Sequence, residues 1–137
     1  MADISITAAN VLRSATSVPT SVGIIAAGVT VTQGQALYQL ANGTYGLADS
    51  NASSPANSFA GISLTAGSPG QPVLFCNSDT AFVTGGTLVF GQVYVSNTPG
   101  ALTQSLSDLA TGSTMLSIGA VNTDGTLKLS PVVGGVK

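Results

Sequence analysis

Turn-forming residues break this chain at short, even intervals, and the runs between the breaks are too brief for ordinary helices. "FAGISLTA" (59–66) stops at "GSPGQP" (67–72), and "VLFCN" (73–77), "AFV" (81–83), "TLVF" (87–90) and "VYVS" (93–96) follow before "NTPG" (97–100). "TMLSIGAV" (114–121) and "TLKLS" (126–130) flank "NTDG", an Asp-Gly hairpin signal. Such runs, rich in Val, Ile, Thr and Leu and separated by Gly, Pro and Asn, are strands and turns. Only "LTQSLSDLA" (102–110) has helical spacing, through Leu102, Leu106 and Leu109, enough for one or two turns.

The stretch from Ala27 to Asn51 predicts a hairpin with a defined face. If Asn42-Gly43 is a two-residue type I′ turn, Leu40 faces Tyr45 and Tyr38 faces Leu47. Those four large residues then share the core side, opposite Leu37, Gln39, Ala41, Thr44, Gly46 and Ala48. A faint echo links "GQALY" (34–38) to "GQVY" (91–94), since each leads into an apolar strand. Either a duplication or shared turn chemistry produces such an echo.

Many short strands at even spacing predict an all-β fold, a compact antiparallel barrel or sandwich. Its strands are expected from about Gly28 to Leu129, within a single domain over 23–137, which suits a length of 137 residues. Residues 1–22 lack a clean pattern and read as an extended N-terminal arm. Ile4, Ile6, Val11 and Leu12 are its apolar residues, and Arg13 is the only cation before Lys128. The arm is expected to leave the body and dock on a neighbouring copy or another protein by backbone pairing, with Arg13 meeting a carboxylate or carbonyl. The alternative is that "DISIT" is the first strand of the chain's own barrel.

Charge narrows the partners. Charged residues are 6% of the chain, five Asp against one Arg and two Lys, for a net charge of −2. A protein making roughly 6–10 phosphate contacts needs more cations than that, so nucleic acid is not an expected partner. Nor does the charge favour an anionic membrane, and the most apolar stretch, Val22 to Val31, is too short to span one. Asp3 stands where a secretory leader would carry a cation, so the chain is expected to be made in the cytoplasm. So few charges also leave little repulsion between copies, which favours self-association.

Chemistry has few residues to work with. Without His or Glu, and with Cys76 alone in an apolar run, the usual nucleophile–base pairs cannot be assembled. No phosphate-cradling glycine loop occurs. "DSNAS" from Asp49 begins like a calcium loop but lacks its sixth-position Gly and twelfth-position acid, so a turn is expected there. No enzyme activity, cofactor or metal is expected.

The pieces "ADISITAANV", "AGVTVTQGQALY", "NGTYGLADSNAS" and "FAGISLTAGSPGQPV", then "GQVYVSNTPGAL", "LATG" and "IGAVNTDGTLKL", occur in order over most of the chain. As an ordered set they resemble the small capsid cement, or head decoration, proteins of tailed bacteriophages. The chain departs from that pattern at "LRSATSVPTSVG" (12–23), where the family has a more glycine-rich link. The resemblance implies a virion protein on the outer capsid surface, bound to the major capsid protein as a homotrimer at or near threefold positions. A different class of function, a glycan-binding module of a phage fibre or bacterial surface protein, would need exposed aromatic side chains. Trp is absent, and the hairpin register above turns Tyr38 and Tyr45 inward.

Overall fold

The computed structural model describes residues 3–137, save the side chain at position 108. It is all-β. Ten strands follow in order: β1 Ser21–Ile24, β2 Ala36–Gln39, β3 Tyr45–Leu47, β4 Gly61–Ser63, β5 Pro72–Cys76, β6 Asp79–Phe82, β7 Gln92–Val95, β8 Leu102–Thr103, β9 Thr114–Val121 and β10 Leu127–Val136. They form two five-stranded sheets, ordered β1-β5-β4-β2-β3 and β6-β10-β9-β7-β8, with every strand pair antiparallel.

The second order is the first with five added to each label, so the two halves share one topology. The echoing segments fall on equivalent strands, "GQALY" leading into β2 and "GQVY" into β7. Equivalent placement in two identically wound sheets favours the duplication.

Each sheet also has its edges bridged. In the first, Ile25 just past β1 pairs with Tyr45 of β3. In the second, the segment 3–12 spans the gap, pairing Asp3 with Thr103 of β8 and Leu12 with Val83 just past β6. The extended arm expected from the sequence is therefore not observed; the segment lies along its own body. Alternation explains the docking, because Ile4 and Ile6 face the core together while the backbone between them meets open sheet edges.

Two apolar clusters result. Ile25, Val31, Leu37, Val73 and Phe75 fill the first sheet's interior. The larger cluster joins the second sheet's Phe82, Val93, Leu116, Ile118 and Leu127 to Ala36, Ile62 and Cys76 from the first sheet's other face. The first sheet is thus covered on both faces, and adjacent residues Ala36 and Leu37 are both fully buried.

The hairpin forms, but one residue out of the expected register. Leu37 pairs with Leu47, Tyr38 with Gly46 and Gln39 with Tyr45. The Leu40 N–H donates to Thr44 O at 2.7 Å and the Gly43 N–H to Leu40 O at 2.9 Å, so the loop has three residues, Ala41 to Gly43. Only Gly43 takes positive φ, at 88°, whereas a type I′ turn needs it at Asn42 as well. Asn42 instead uses its side chain, accepting from Thr44 N–H and Oγ1 at 3.0 and 2.6 Å. Asp124 does the same for Thr126 between β9 and β10, so Asn/Asp-Gly-Thr builds this turn twice. A one-residue slip exchanges the faces. Leu37 goes inside with Tyr45 and Leu47 against it, Tyr38 and Leu40 lie on the opposite face, and all four expected core residues end half-buried.

Other boundaries moved as well. "TLVF" is a loop, "LTQSLSDLA" divides into β8 and one 3-10 turn at Leu106–Asp108, and β10 runs past Leu129 to Val136.

Candidate docking surfaces

The expected arm contacts are mostly spent within the chain. Ile4 N–H donates to Leu102 O at 2.7 Å and Thr7 N–H to Gly85 O at 2.9 Å, while Leu12 and Val83 exchange backbone hydrogen bonds of 3.0 and 2.8 Å. Val11 is 2% exposed, and Ile4 and Ile6 pack against the same core. Of the apolar arm residues only Leu12, 59% exposed, faces outward. Arg13 donates to carbonyls of its own loop, Thr16 O at 3.0 Å and Val18 O at 2.9 Å.

Asp79 fastens this segment at its far end. Its carboxylate accepts from Ser14 N–H at 2.7 Å, Ser14 Oγ at 2.5 Å and Ala81 N–H at 3.1 Å. Burial acts to raise its pKa, but the hydrogen bonds from Ser14, Ala81 and Thr80 prevail and hold it below the ordinary 3.8. Burial, then the charge of Asp79, pushes the Cys76 thiol up to about 11 against the opposing pull of Arg13. That thiol is protonated at neutral pH and a poor nucleophile. Asp49 accepts from Asn51 N–H at 2.9 Å, the expected turn. The described residues contain no cluster of three or more metal-ligating side chains, and no helix among them is long and apolar enough to cross a membrane.

Two further apolar surfaces stand out, neither marked by a motif in the sequence. The first is the loop between β6 and β7. Phe90 is 91% exposed there beside exposed Val89, although large aromatic residues dominate cores. Gln104 braces this loop in place of a strand: its Oε1 accepts from Val89 N–H at 2.9 Å and its Nε2 donates to Val89 O at 2.8 Å. Phe90 is therefore displayed on fixed backbone. The signal was present in "TLVFGQ", two apolar neighbours just before a Gly, but an apolar run of that length reads equally well as a buried strand.

The second surface is the outer half of β10. β6 pairs with β10 only at Leu127 and Leu129, and from Ser130 onward the strand has β9 on one side and no strand on the other. Val132, Val133 and Val136 are 63, 71 and 69% exposed. Val132 and Val133 are consecutive and so point to opposite faces, which leaves both faces uncovered. Pro131, lacking an N–H, suits such an edge. Lys137 nevertheless anchors the strand end, its N–H donating to Ser113 O at 2.8 Å and its Nζ to Leu106 O and Leu109 O at 2.7 and 2.5 Å.

Compared with known protein families, curated proteins and solved structures, the chain has no match.

Proposed function

We propose that this chain is a capsid cement protein, binding the outer surface of a phage shell through the major capsid protein and reinforcing it without catalysis. The observation that carries the reading is Phe90, a large aromatic side chain held almost wholly outside a well-packed body by the Gln104 brace. Aromatic anchors of this kind carry much of the energy of protein interfaces. The ordered sequence resemblance supplies the identity of the partner. Low charge supports it too, since surfaces depleted of charge suit the centres of interfaces.

The copies assemble as a homotrimer, and the β10 edge is the natural contact between them. A threefold interface is head-to-tail, so that edge meets a different surface on the next copy. β1 fits this role, being an edge strand with Val22 and Ile24 exposed and no charge in it.

Cosedimentation with DNA-filled heads that lack the protein tests the function. The full chain is expected to pellet with heads in saturable, stoichiometric amounts. Phe90→Ala should weaken retention at least tenfold, since an interface anchor contributes roughly 2 kcal/mol or more. Absence of the wild-type chain from the pellet would overturn the proposal, and undiminished retention of the variant would remove Phe90 from it.

A further inference from the structure

We infer that Asn42-Gly43 is a site of spontaneous deamidation, gated by the turn that joins β2 to β3. Asn42 is the only asparagine of the chain followed by Gly, and both residues are exposed to the water that the reaction uses. In this reaction the Gly43 backbone nitrogen attacks Asn42 Cγ. The N–Cγ bond forms, the Cγ–Nδ2 bond breaks, and Nδ2 leaves as ammonia, completed by the amide proton of Gly43. Water then opens the five-membered succinimide at one of its two carbonyl carbons, which leaves aspartate or isoaspartate at position 42. Gly favours the closure because it sets no Cβ beside the attacking nitrogen. Even an added Cβ at Gly43 would meet no atom within 4 Å, so water has free access to the turn.

The folded turn withholds both reacting groups. The Gly43 N–H donates to Leu40 O at 2.9 Å, which opposes loss of the proton that must go before the nitrogen attacks. Asn42 Oδ1 accepts from Thr44 N–H at 3.0 Å and from Thr44 Oγ1 at 2.6 Å. These two bonds fix the plane of the carboxamide, whose face the nitrogen must approach. Reaction therefore waits for the turn to open. Opening can be local, because β3 is a three-residue strand at the edge of the first sheet. The turn between β9 and β10 shows what becomes of one product. There the Gly125 N–H donates to Asn122 O at 3.0 Å, and Asp124 Oδ1 accepts from Thr126 N–H and Oγ1 at 3.0 and 2.6 Å. The Thr126 bonds hold the Asp124 carboxyl below its ordinary 3.8, so at neutral pH it is ionised and a poor electrophile. Aspartate at position 42 can take the same place. Isoaspartate cannot, because its main chain runs through Cβ and Cγ, and the added backbone atom disturbs the register that sets Leu37 inside.

The test follows the full-length chain by anion exchange at neutral pH, since deamidation adds a negative charge. Peptide mapping that separates aspartate from isoaspartate then locates the change. Asn42 is expected to be the first asparagine lost in urea, and to react at least about tenfold more slowly in the folded chain, where opening must come first. Thr44→Val keeps the side-chain shape and removes the hydroxyl. It should raise the folded rate, taken relative to its own rate in urea, by about threefold or more, the net contribution of one hydrogen bond. Asn42→Asp should keep the wild-type melting temperature, as the twin turn implies. Equal rates in the folded and urea-unfolded wild-type chains, which need no variant to fold, would overturn the inference. So would an unaltered ratio in Thr44→Val or a lowered melting temperature in Asn42→Asp. No partner takes part in these measurements, so their outcome leaves the proposed function untouched.

Discussion

Gly119 is the residue with least freedom to change. It lies in β9 where the pairing with β7 is irregular, Val93 facing Gly119 and Tyr94 facing Ser117. Its φ is 154°, and a Cβ there would stand 1.9 Å from the Lys128 carbonyl oxygen on β10. Gly119→Ala is therefore expected to destabilise the fold by about 1–3 kcal/mol from backbone strain alone, with the backbone clash adding to it. Urea unfolding monitored by tyrosine fluorescence gives the value, and an unchanged midpoint would refute the bulge. Nothing in "TMLSIGAV" marks this position, which reads as one straight alternating strand. The atom that forbids a side chain belongs to the neighbouring strand, and local pattern carries no information about it. Phe90 was hidden for a related reason: composition gives its apolarity, but only the Gln104 contact fourteen positions away decides that it points outward.

At the scale of elements, the β2–β3 hairpin was legible and its register was not. Asn42-Gly43 announced the turn, yet whether two or three residues form it depends on which of them takes positive φ. That choice exchanged Leu37 for Leu40 in the interior. The segment 3–12 was legible as apolar alternation, and its partner was not, because an open edge elsewhere in the same chain and one on another molecule look alike from the sequence. Asp79 should make its attachment pH-dependent. The folded-state pKa is below 3.8, so this carboxylate's contribution is complete above that value and is lost as pH falls through the lower, folded value. Asp79→Asn should therefore cost about 1–2 kcal/mol at pH 7, the difference between charged and neutral hydrogen bonds, and progressively less as the wild-type carboxyl is protonated. Urea unfolding of both proteins at pH 7 and at pH values well below 3.8 checks this. An equal gap at both would show that Asp79 does not hold the segment by charge.

The whole molecule is two sheets of one topology, with apolar residues outside as well as in. Strand content, turn chemistry and the even spacing of both were plain from the sequence. The matched winding was visible only as the Gly-Gln echo, since most paired positions in the halves are filled by different residues that serve the same pleat. The outer half of β10 escaped because Pro131, Gly134 and Gly135 argue against a strand, although they suit an edge. Self-association through this edge gives a direct prediction. Light scattering at micromolar concentration should find the wild-type chain heavier than a monomer, and Val133→Lys should lower the mass while changing stability by no more than about 0.5 kcal/mol, as exposed substitutions do. Identical masses for the two proteins would exclude the β10 edge as the contact.

The bridging segment also sets an order in time. Asp3 and Thr103 lie a hundred positions apart, and at about 5–20 residues per second the ribosome needs roughly 5–20 s to deliver the second after the first. All the strands of the first sheet, between Ser21 and Cys76, emerge within that interval. Through it, Ile4, Ile6 and Val11 lack β8, β9 and β10, the strands that complete the second sheet around them. Closure over so long a loop is slow compared with pairing of neighbouring strands, so segment 3–12, made before either sheet, is among the last to find its place. A nascent chain stays sticky along this segment until its partners arrive, and the event that ends the exposure is the same one that completes the second sheet.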